Sequence, residues 1–383
     1  MNKTALVFGA GKTGRGFAAQ LAFLGGYNII LIDKNIQLVN DLNKAGQYDI
    51  QVLGNREMSC TVKTAGVYHI DDVLWHNEFV TTSLVFTSVF GNNLEELAIH
   101  FALALEQRSK ENPSQILNII TCENLTDAAE VLKKKVLKSL SNRIEGWISE
   151  KVGFCESMIL RTCLNAGTDQ SPLTIRAQNF FELPCDGDTI KGEPHVYGLK
   201  PMKNFGNQLR RKIYTYNCIN AVITYLGAKK GYSQLYEAGN DAEILEIARK
   251  AAEETSLAQV AEFGFNIEEQ GEWIHSAFAK FADKSIPDPI ERNGADPARK
   301  LGRDDRLIGP ALLALKHGIY PEGLLEGIFA CFEYFDADKG FKVSDVIREK
   351  GADYVLKNIC ELSEAEKLFE LIKEQIIYRN ING

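Results

Sequence analysis

A glycine-rich segment near the start of the chain has the residue types and spacing of a phosphate-binding turn. Three glycines spaced Gly-x-Gly-x-x-Gly follow the apolar run Thr4–Phe8, and an acidic residue ends the next apolar run. In such a turn, one glycine permits the sharp bend, a second lets a pyrophosphate approach the backbone, and a third lets a helix pack closely on the strand. The positive end of that helix attracts phosphate. The predicted cofactor-binding residues are Gly9, Gly11, Gly14, Arg15, Gly16 and Asp33.

Asp33 decides which dinucleotide this turn prefers. A carboxylate at this position accepts hydrogen bonds from the adenosine ribose hydroxyls and repels a 2′-phosphate, which favours NAD over NADP. Lys34 weakens that preference. The alternative is a Rossmann-like domain whose glycines serve only packing. Because the turn follows a strand, opens a helix and is paired with an acidic residue, we expect NAD as the cofactor.

Two further groups of polar residues are candidates for a site. Asn124 directly follows a predicted strand, where it could face a bound cofactor or simply form a turn. Lys212, Asn217 and Asn220 interrupt an apolar helical pattern. Lys212 and Asn217 are five residues apart, roughly 140° around an α-helix, whereas Asn217 and Asn220 share a face. The spacing alone also fits a solvated lysine and a tolerated asparagine.

A third group packs five cations between residues 291 and 306, around a glycine and a proline. The group includes Arg292 and Lys300. One interpretation is a solvated loop with ion pairs to neighbouring carboxylates. The other is a surface that holds the oxygens of a polyhydroxylated or anionic substrate. These residues alone leave both interpretations open.

The elements that must position these groups form two predicted domains. Residues 1–195 alternate strands and helices, which predicts an α/β fold with a Rossmann-type doubly wound parallel sheet. A stretch rich in proline and glycine, 184–204, marks the boundary. Residues 196–383 are predicted to be mostly α-helical. The predicted strands are 4–8, 28–32, 79–90 and 116–121, and the predicted helices are 17–24, 94–108, 209–226, 241–263, 268–282, 308–316 and 365–377.

Composition narrows the class of protein. The chain has 383 residues and a net charge of −8, which argues against a general nucleic-acid binder. Its apolar runs are too short to cross a bilayer, and Met1 leads directly into a strand with no room for a signal peptide. Eight irregularly spaced cysteines are expected to be free thiols. We therefore expect a cytoplasmic protein, a monomer or small homo-oligomer, with no membrane or nucleic-acid partner.

The ordered series of motifs resembles the polyol-specific long-chain dehydrogenase (mannitol dehydrogenase) family, over nearly the whole length. Within the family, the chain is most similar to the branch that acts on mannitol 1-phosphate. The matching segments are GAGxxGRGF at 9–17, Asp33, LNIITCEN at 117–124, VGF at 152–154, Arg161, Lys212 followed by Asn217, YLG at 225–227, and ERxG, PxRKL and DRLI between 291 and 308.

The resemblance implies an NAD-dependent oxidoreductase that interconverts a sugar alcohol, here mannitol 1-phosphate, and its ketose, fructose 6-phosphate, without a metal. Lys212 would be the general base, with a pKa lowered by a dry, partly cationic pocket. Asn124 and Asn217 would donate hydrogen bonds to the developing alkoxide. The residues implied to contact the substrate are Asn220, Arg292 and Lys300.

The chain also departs from the family pattern. Asn220 replaces a histidine, Leu160 replaces an acidic residue, residues 209–211 lack an acidic residue, and Ala295 replaces an arginine of the phosphate branch. Two alternatives follow. One is a sugar-acid reductase of the tagaturonate or fructuronate type, for which Arg210 and Arg211 would suit a carboxylate. The other is a nucleotide-binding relative that has lost turnover and acts as a sensor.

Overall fold

A computed structural model describes residues 3–89, 91–123, 127–166, 170–285 and 287–379. The chain divides into two units, Met1–Gly206 and Asn207–Gly383. This division lies later than the boundary expected at residue 195. The reason is a small two-stranded sheet in which Leu199–Met202 pairs with Leu183–Asp186, so that the chain stays with the first unit beyond the proline-rich stretch.

The first unit is built on one large sheet. Among the described residues its strands are β1 (Thr4–Phe8), β2 (Asn28–Asp33), β3 (Gln47–Val52), β4 (Cys60–His69), β5 (Leu84–Thr87), β6 (Leu117–Thr121), β7 (Val152–Glu156), β8 (Cys163–Asn165) and β9 (Ile175–Ala177), with β10 (Leu183–Asp186) and β11 (Leu199–Met202) forming the small sheet. The order in the large sheet is β7-β6-β5-β1-β2-β4-β3-β9-β8. The six strands from β4 to β7 in this order are mutually parallel and repeat the 3-2-1-4-5-6 order of dinucleotide-binding folds. The predicted doubly wound sheet is confirmed.

Strand β1 shows why its sequence is almost continuously apolar. Ala5 and Val7 belong to the core on one face of the sheet, and Leu6 and Phe8 to the core on the other. Since side chains alternate between the faces of a strand, a strand covered on both sides needs apolar residues at every position.

The predicted strand at residues 79–90 is wrong in its first part. Leu74–Thr81 is a helix, and only Leu84–Thr87 is strand. Phe79 lies on this helix and packs in the core, with its ring centre 6.4 Å from that of Phe8. A short apolar run fits a buried helix as well as a buried strand, so local pattern could not separate them.

The helices of the first unit cover both faces of the sheet. A π-helical turn at Gly14–Ala18 leads into the first of them. The helices are α1 (Ala19–Leu24), α2 (Ile36–Ala45), α3 (Leu74–Thr81), α4 (Leu94–Glu111), α5 (Ala128–Ser139) and α6 (Glu145–Lys151).

The second unit is helical around its own apolar core, as predicted. A π-helical turn at Ile213–Asn217 joins its first two helices, and a hairpin pairs the two-residue strands Phe335–Asp336 and Phe341–Lys342. No helix in the described ranges is both long and apolar enough to span a membrane. The helices are α7 (Phe205–Lys212), α8 (Cys218–Lys229), α9 (Leu235–Ala238), α10 (Ala242–Phe263), α11 (Ile267–Phe281), α12 (Ile290–Gly294), α13 (Pro297–Lys300), α14 (Ile308–Lys316), α15 (Glu322–Glu333), α16 (Val343–Lys350), α17 (Ala352–Asn358) and α18 (Lys367–Tyr378).

Candidate active site

The glycines of the first turn differ in what a side chain at each position would meet. Gly9 has a φ of +92°, and a Cβ there would lie 2.3 Å from the carbonyl oxygen of Ser88. A Cβ on Gly14 would lie 1.9 Å from the carbonyl oxygen of Gly9. Both are therefore required by the close approach of backbones. A Cβ on Gly11 would meet nothing within 4 Å, so this position is open to an incoming ligand.

Two of the predicted cofactor-binding residues, Arg15 and Gly16, are buried and pack against the residues that support the glycine turn. Arg15 is 4% exposed, and its guanidinium donates hydrogen bonds to the carbonyl oxygens of Ala10 at 2.7 Å and Leu173 at 2.5 Å. Gly16 is buried, and a Cβ there would lie 2.4 Å from Ile175. The π-helical turn that carries both residues directs them towards β9.

A cleft opens at the carboxyl ends of the parallel strands, between the glycine turn and Asp33. Parallel α/β sheets bind ligands at such a point, where the strand order reverses. Asp33 is half-buried, and its carboxylate accepts hydrogen bonds from the backbone N–H of Ala10 at 2.6 Å and Asn35 at 2.8 Å. These bonds aim the carboxylate while leaving lone pairs for a ribose. Lys34 donates to Asn93 at 2.8 Å.

The cleft fits NAD. Its lining combines the open Gly11 and the Asp33 carboxylate with an apolar wall. The remaining lining residues are Phe8, Gly9, Ile32, Lys34, Ile70, Ser88, Val89, Asn93, Glu96 and Leu97. Phosphates would lie against the glycine turn, the ribose against Asp33, and the adenine ring against the apolar wall.

A buried carboxylate that sequence reasoning left without a role supports this cleft. Glu123 is 6% exposed and follows β6. It accepts hydrogen bonds from the Thr87 hydroxyl and the Val89 N–H, both at 2.9 Å. Burial raises the pKa of Glu123 to about 7. Its only signal in the sequence was a charged residue directly after an apolar strand. The next residue, the predicted Asn124, lies outside the described residues.

In the second unit, a π-helical turn begins directly after Lys212 and ends at Asn217. The Thr255 hydroxyl donates to the carbonyl oxygen of Tyr214 at 3.0 Å, which helps to satisfy a carbonyl in the widened turn. A π-helical turn holds one more residue than an α-helical one. Residues five apart therefore come closer to one face than the 140° expected for a regular α-helix, and the turn favours a shared site for Lys212 and Asn217.

Lys212 lies in the environment that a lysine base needs. It is 8% exposed, and its pKa is lowered to about 7, first by burial and then by the positive charges of Lys280 and Arg306. A lysine with this pKa is largely neutral just above pH 7 and can accept a proton.

The predicted substrate residues form a connected polar group. Asn217 is half-buried, and Asn220 donates from Nδ2 to Oδ1 of Asn293 at 3.2 Å. Lys300 is buried, donates to the carbonyl oxygen of Asn293, and has a pKa lowered to about 7, mainly by burial. Arg292 differs, because its side chain is 54% exposed and paired with Asp288 at 2.6 Å. The structure thus brings Asn220 and Lys300 to Asn293 and leaves Arg292 in a surface ion pair.

Other arginines near these residues have structural partners. Arg211 is buried between the rings of Phe265 and Trp273, and its Nε donates to Gln270 at 2.7 Å. Arg303 pairs with Glu366. Arg306, one of the five cations between residues 291 and 306, adds to burial in lowering the pKa of both Lys212 and Lys300. Only the fold brings it near both lysines.

Comparisons with known proteins agree with this architecture. The family model of the mannitol dehydrogenase Rossmann domain matches residues 3–198, and that of the mannitol dehydrogenase C-terminal domain matches residues 207–382. Mannitol-1-phosphate 5-dehydrogenase of Thermoanaerobacter pseudethanolicus is 30% identical over 375 residues, which are 97% of this chain and 96% of that protein. The enzyme of the same name from Bacillus licheniformis is 31% identical over 375 residues, 96% of this chain and 98% of that protein.

Two solved structures share the fold. The substrate-free D-sorbitol dehydrogenase has a TM-score of 0.78 at 13% identity, covering 100% of this chain and 94% of that one. The ternary complex of Pseudomonas fluorescens mannitol 2-dehydrogenase with NAD and D-mannitol has a TM-score of 0.75 at 14% identity, covering 100% and 93%. With both family models matched over most of its length, the chain belongs to the mannitol dehydrogenase family.

Proposed function

We propose that this NAD-dependent polyol dehydrogenase interconverts mannitol 1-phosphate and fructose 6-phosphate, with Lys212 as the general base. The observation that carries the proposal is the buried Lys212 amine with a pKa of about 7. The names of the relatives at about 30% identity support the substrate, since both act, by name, on mannitol 1-phosphate.

The chemistry requires a proton and a hydride to leave the same carbinol group. NAD, when bound, supplies the acceptor for the hydride. The neutral amine of Lys212 takes the hydroxyl proton, so that the oxygen develops alkoxide and then carbonyl character. The amide of Asn217 donates a hydrogen bond to that oxygen, and Asn124 is proposed as a second donor. In the reverse direction, the ammonium of Lys212 returns the proton to the ketose oxygen.

The roles of the remaining polar residues follow from their partners. Asn220 and Lys300 both bond to Asn293, so we assign them to the substrate hydroxyls beyond the reacting carbon. We assign Asp33 and the glycine turn to NAD. Arg15 and Gly16 are assigned to the support of that turn rather than to contact with the cofactor.

The test is a substrate panel with NAD, in which NADH formation is followed with mannitol 1-phosphate, mannitol and aldonates. We expect mannitol 1-phosphate to be the preferred substrate. Lys212→Ala should lower kcat on the order of 1000-fold with NADH binding retained, consistent with the loss of a general base. Lys229→Ala, at an exposed position on α8, is the matched control and should keep full activity. An active Lys212→Ala enzyme would contradict the assignment of the base.

The sugar-acid alternative has one of its two supporting arginines occupied by other contacts. It relied on Arg210 and Arg211, and Arg211 is buried between two aromatic rings with its Nε bonded to Gln270. Oxidation of aldonates but not of mannitol 1-phosphate in the same panel would restore it. NADH binding without turnover of any compound would instead favour the sensor interpretation.

A further inference from the structure

Arg306 lies in the segment between α13 and α14, and its side chain is only 12% exposed. Its Nε donates to Oδ1 of Asp305 at 2.7 Å. Its two terminal Nη atoms make no hydrogen bond to the residues that the structure describes. A guanidinium carries five N–H donors, so most of the donors of this largely buried group are left for something else.

Packing places the helix that follows Arg306 against the proposed catalytic turn. Gly309, in the first turn of α14, is so close to Tyr214 that a Cβ would lie 2.4 Å from the tyrosine hydroxyl. Tyr214 belongs to the π-helical turn that follows Lys212. On the other side, Lys300 ends α13 and lies 5.7 Å from the ring centre of Tyr225 on α8. This packing agrees with the electrostatics, since the positive charge of Arg306 acts on both Lys212 and Lys300, and the three side chains form one cationic group.

The charges of this group are not balanced by its own carboxylate. Asp305 pairs with Arg306 and also with Arg299, at 3.0 Å. One carboxylate thus serves two guanidinium groups. The lysines can lose their protons, since each has a pKa of about 7, but an arginine cannot. A fixed positive charge with unused donors is left beside the proposed base.

We infer that Arg306 is the residue that selects phosphorylated substrates, by donating hydrogen bonds from its Nη atoms to the substrate phosphate. This inference rests on the proposed function. A planar guanidinium matches the oxygens of a phosphate in a two-bond arrangement that a neutral hydroxyl group cannot reproduce. Arg306 is thereby distinguished from Lys212, which acts at the carbinol, and from Arg292, which is paired at the surface.

The experiment compares Arg306→Gln with Arg299→Gln. Both arginines pair with Asp305, but the side chain of Arg299 is 52% exposed, which makes it a matched control. For each enzyme, kcat and KM are measured with mannitol 1-phosphate and with mannitol. Arg306→Gln should lower kcat/KM for mannitol 1-phosphate on the order of 100-fold, mainly through KM. It should change kcat/KM for mannitol by less than about 3-fold, and Arg299→Gln should leave both close to wild type.

A binding measurement tests the inference without turnover. Inorganic phosphate and mannitol 1-phosphate should each raise the melting temperature of the wild-type protein and of Arg299→Gln, but not of Arg306→Gln. Arg306→Lys keeps the charge without the planar donors and should show a partial effect in both assays. If the glutamine variant does not fold, Arg306→Lys replaces it in both assays.

The outcomes separate this inference from the proposed function. Equal losses with both substrates, or an unchanged ratio between them, would overturn the role of Arg306 while leaving the dehydrogenase intact. Phosphate stabilisation that depends on Arg306, in a protein that oxidises no polyol phosphate, would support the anion contact and overturn the proposed reaction. A wild-type melting temperature that neither phosphate compound raises would also overturn the inference.

Discussion

Replacing Lys212 by methionine should abolish turnover and yet stabilise the protein. Methionine has a similar length and no charge, so it can fill the buried space that the lysine stem occupies. The folded state holds an amine that burial disfavours in its charged form. The unfolded chain exposes the same amine to water, where it keeps its ordinary pKa. Lys212 therefore lowers the free energy of unfolding, and its removal should restore part of it.

The magnitude follows from the two pKa values. The pKa of Lys212 is about 7 in the folded chain, against 10.5 for an ordinary lysine. At about 1.4 kcal/mol for each pKa unit, the buried amine costs the folded state about 4 kcal/mol at pH 7. Between about pH 7 and 10.5 the unfolded chain binds more protons than the folded one. The free energy of unfolding rises with pH across this window, and the cost vanishes near its upper end.

The assay is urea unfolding of the full-length protein at several pH values from 7 to 10, followed by circular dichroism. Allowing for the contacts of the lysine that are lost, we expect Lys212→Met to gain about 2 to 4 kcal/mol at pH 7. The gain should shrink by about 1 kcal/mol for each pH unit. Lys229→Met, at an exposed position, should show no such trend. A variant less stable than wild type at pH 7, or a gain independent of pH, would refute the reasoning.

Four further predictions concern the first unit. Gly14→Ala should lower the melting temperature, because its Cβ would overlap a backbone carbonyl, whereas Gly11→Ala should keep the melting temperature and weaken NAD binding at least about tenfold by blocking the pyrophosphate. Asp33→Ser should lower kcat/KM for NAD and raise it for NADP, and an unchanged ratio would contradict the role of the carboxylate. Glu123→Gln should stabilise the protein at pH 8 by up to about 3 kcal/mol and not at pH 4.5, because the folded pKa of about 7 makes stability fall as pH rises through this window. Glu106→Gln should instead destabilise it at neutral pH, because hydrogen bonds from Asn142 and Ser141 lower the pKa of that carboxyl.

Local signals in the sequence were sufficient for much of the fold. The strand–turn–helix unit at the start of the chain was predicted because a glycine turn between two apolar strands is specified within about thirty residues. The predicted helix Ile308–Lys316 has the observed bounds. The predicted strand at 79–90 was wrong in its first part, because a run of apolar residues shows neither the period of a helix nor that of a strand. Strands β8 and β9 are only three residues long and gave no signal.

The candidate site was predicted less completely, because its properties depend on distant partners. Arg15 lies within the glycine motif, but its guanidinium bonds to Leu173, which is 158 residues away. The helix period predicted a separation between Lys212 and Asn217 that the π-helical turn reduces. A carbonyl oxygen in that turn accepts a hydrogen bond from Thr255, which lies on another helix.

By itself, the sequence determined the family, the nucleotide-binding turn and the order of the polar motifs, since these depend on residue types at fixed spacing along the chain. The tertiary structure alone decided which charged groups are buried and which remain in water. Lys212 and Lys300 acquire a pKa of about 7 and Arg306 becomes their shared neighbour, whereas Arg292 stays in a surface ion pair. Burial and the distance between charges set these properties, and both are fixed only when helices far apart in the chain pack together.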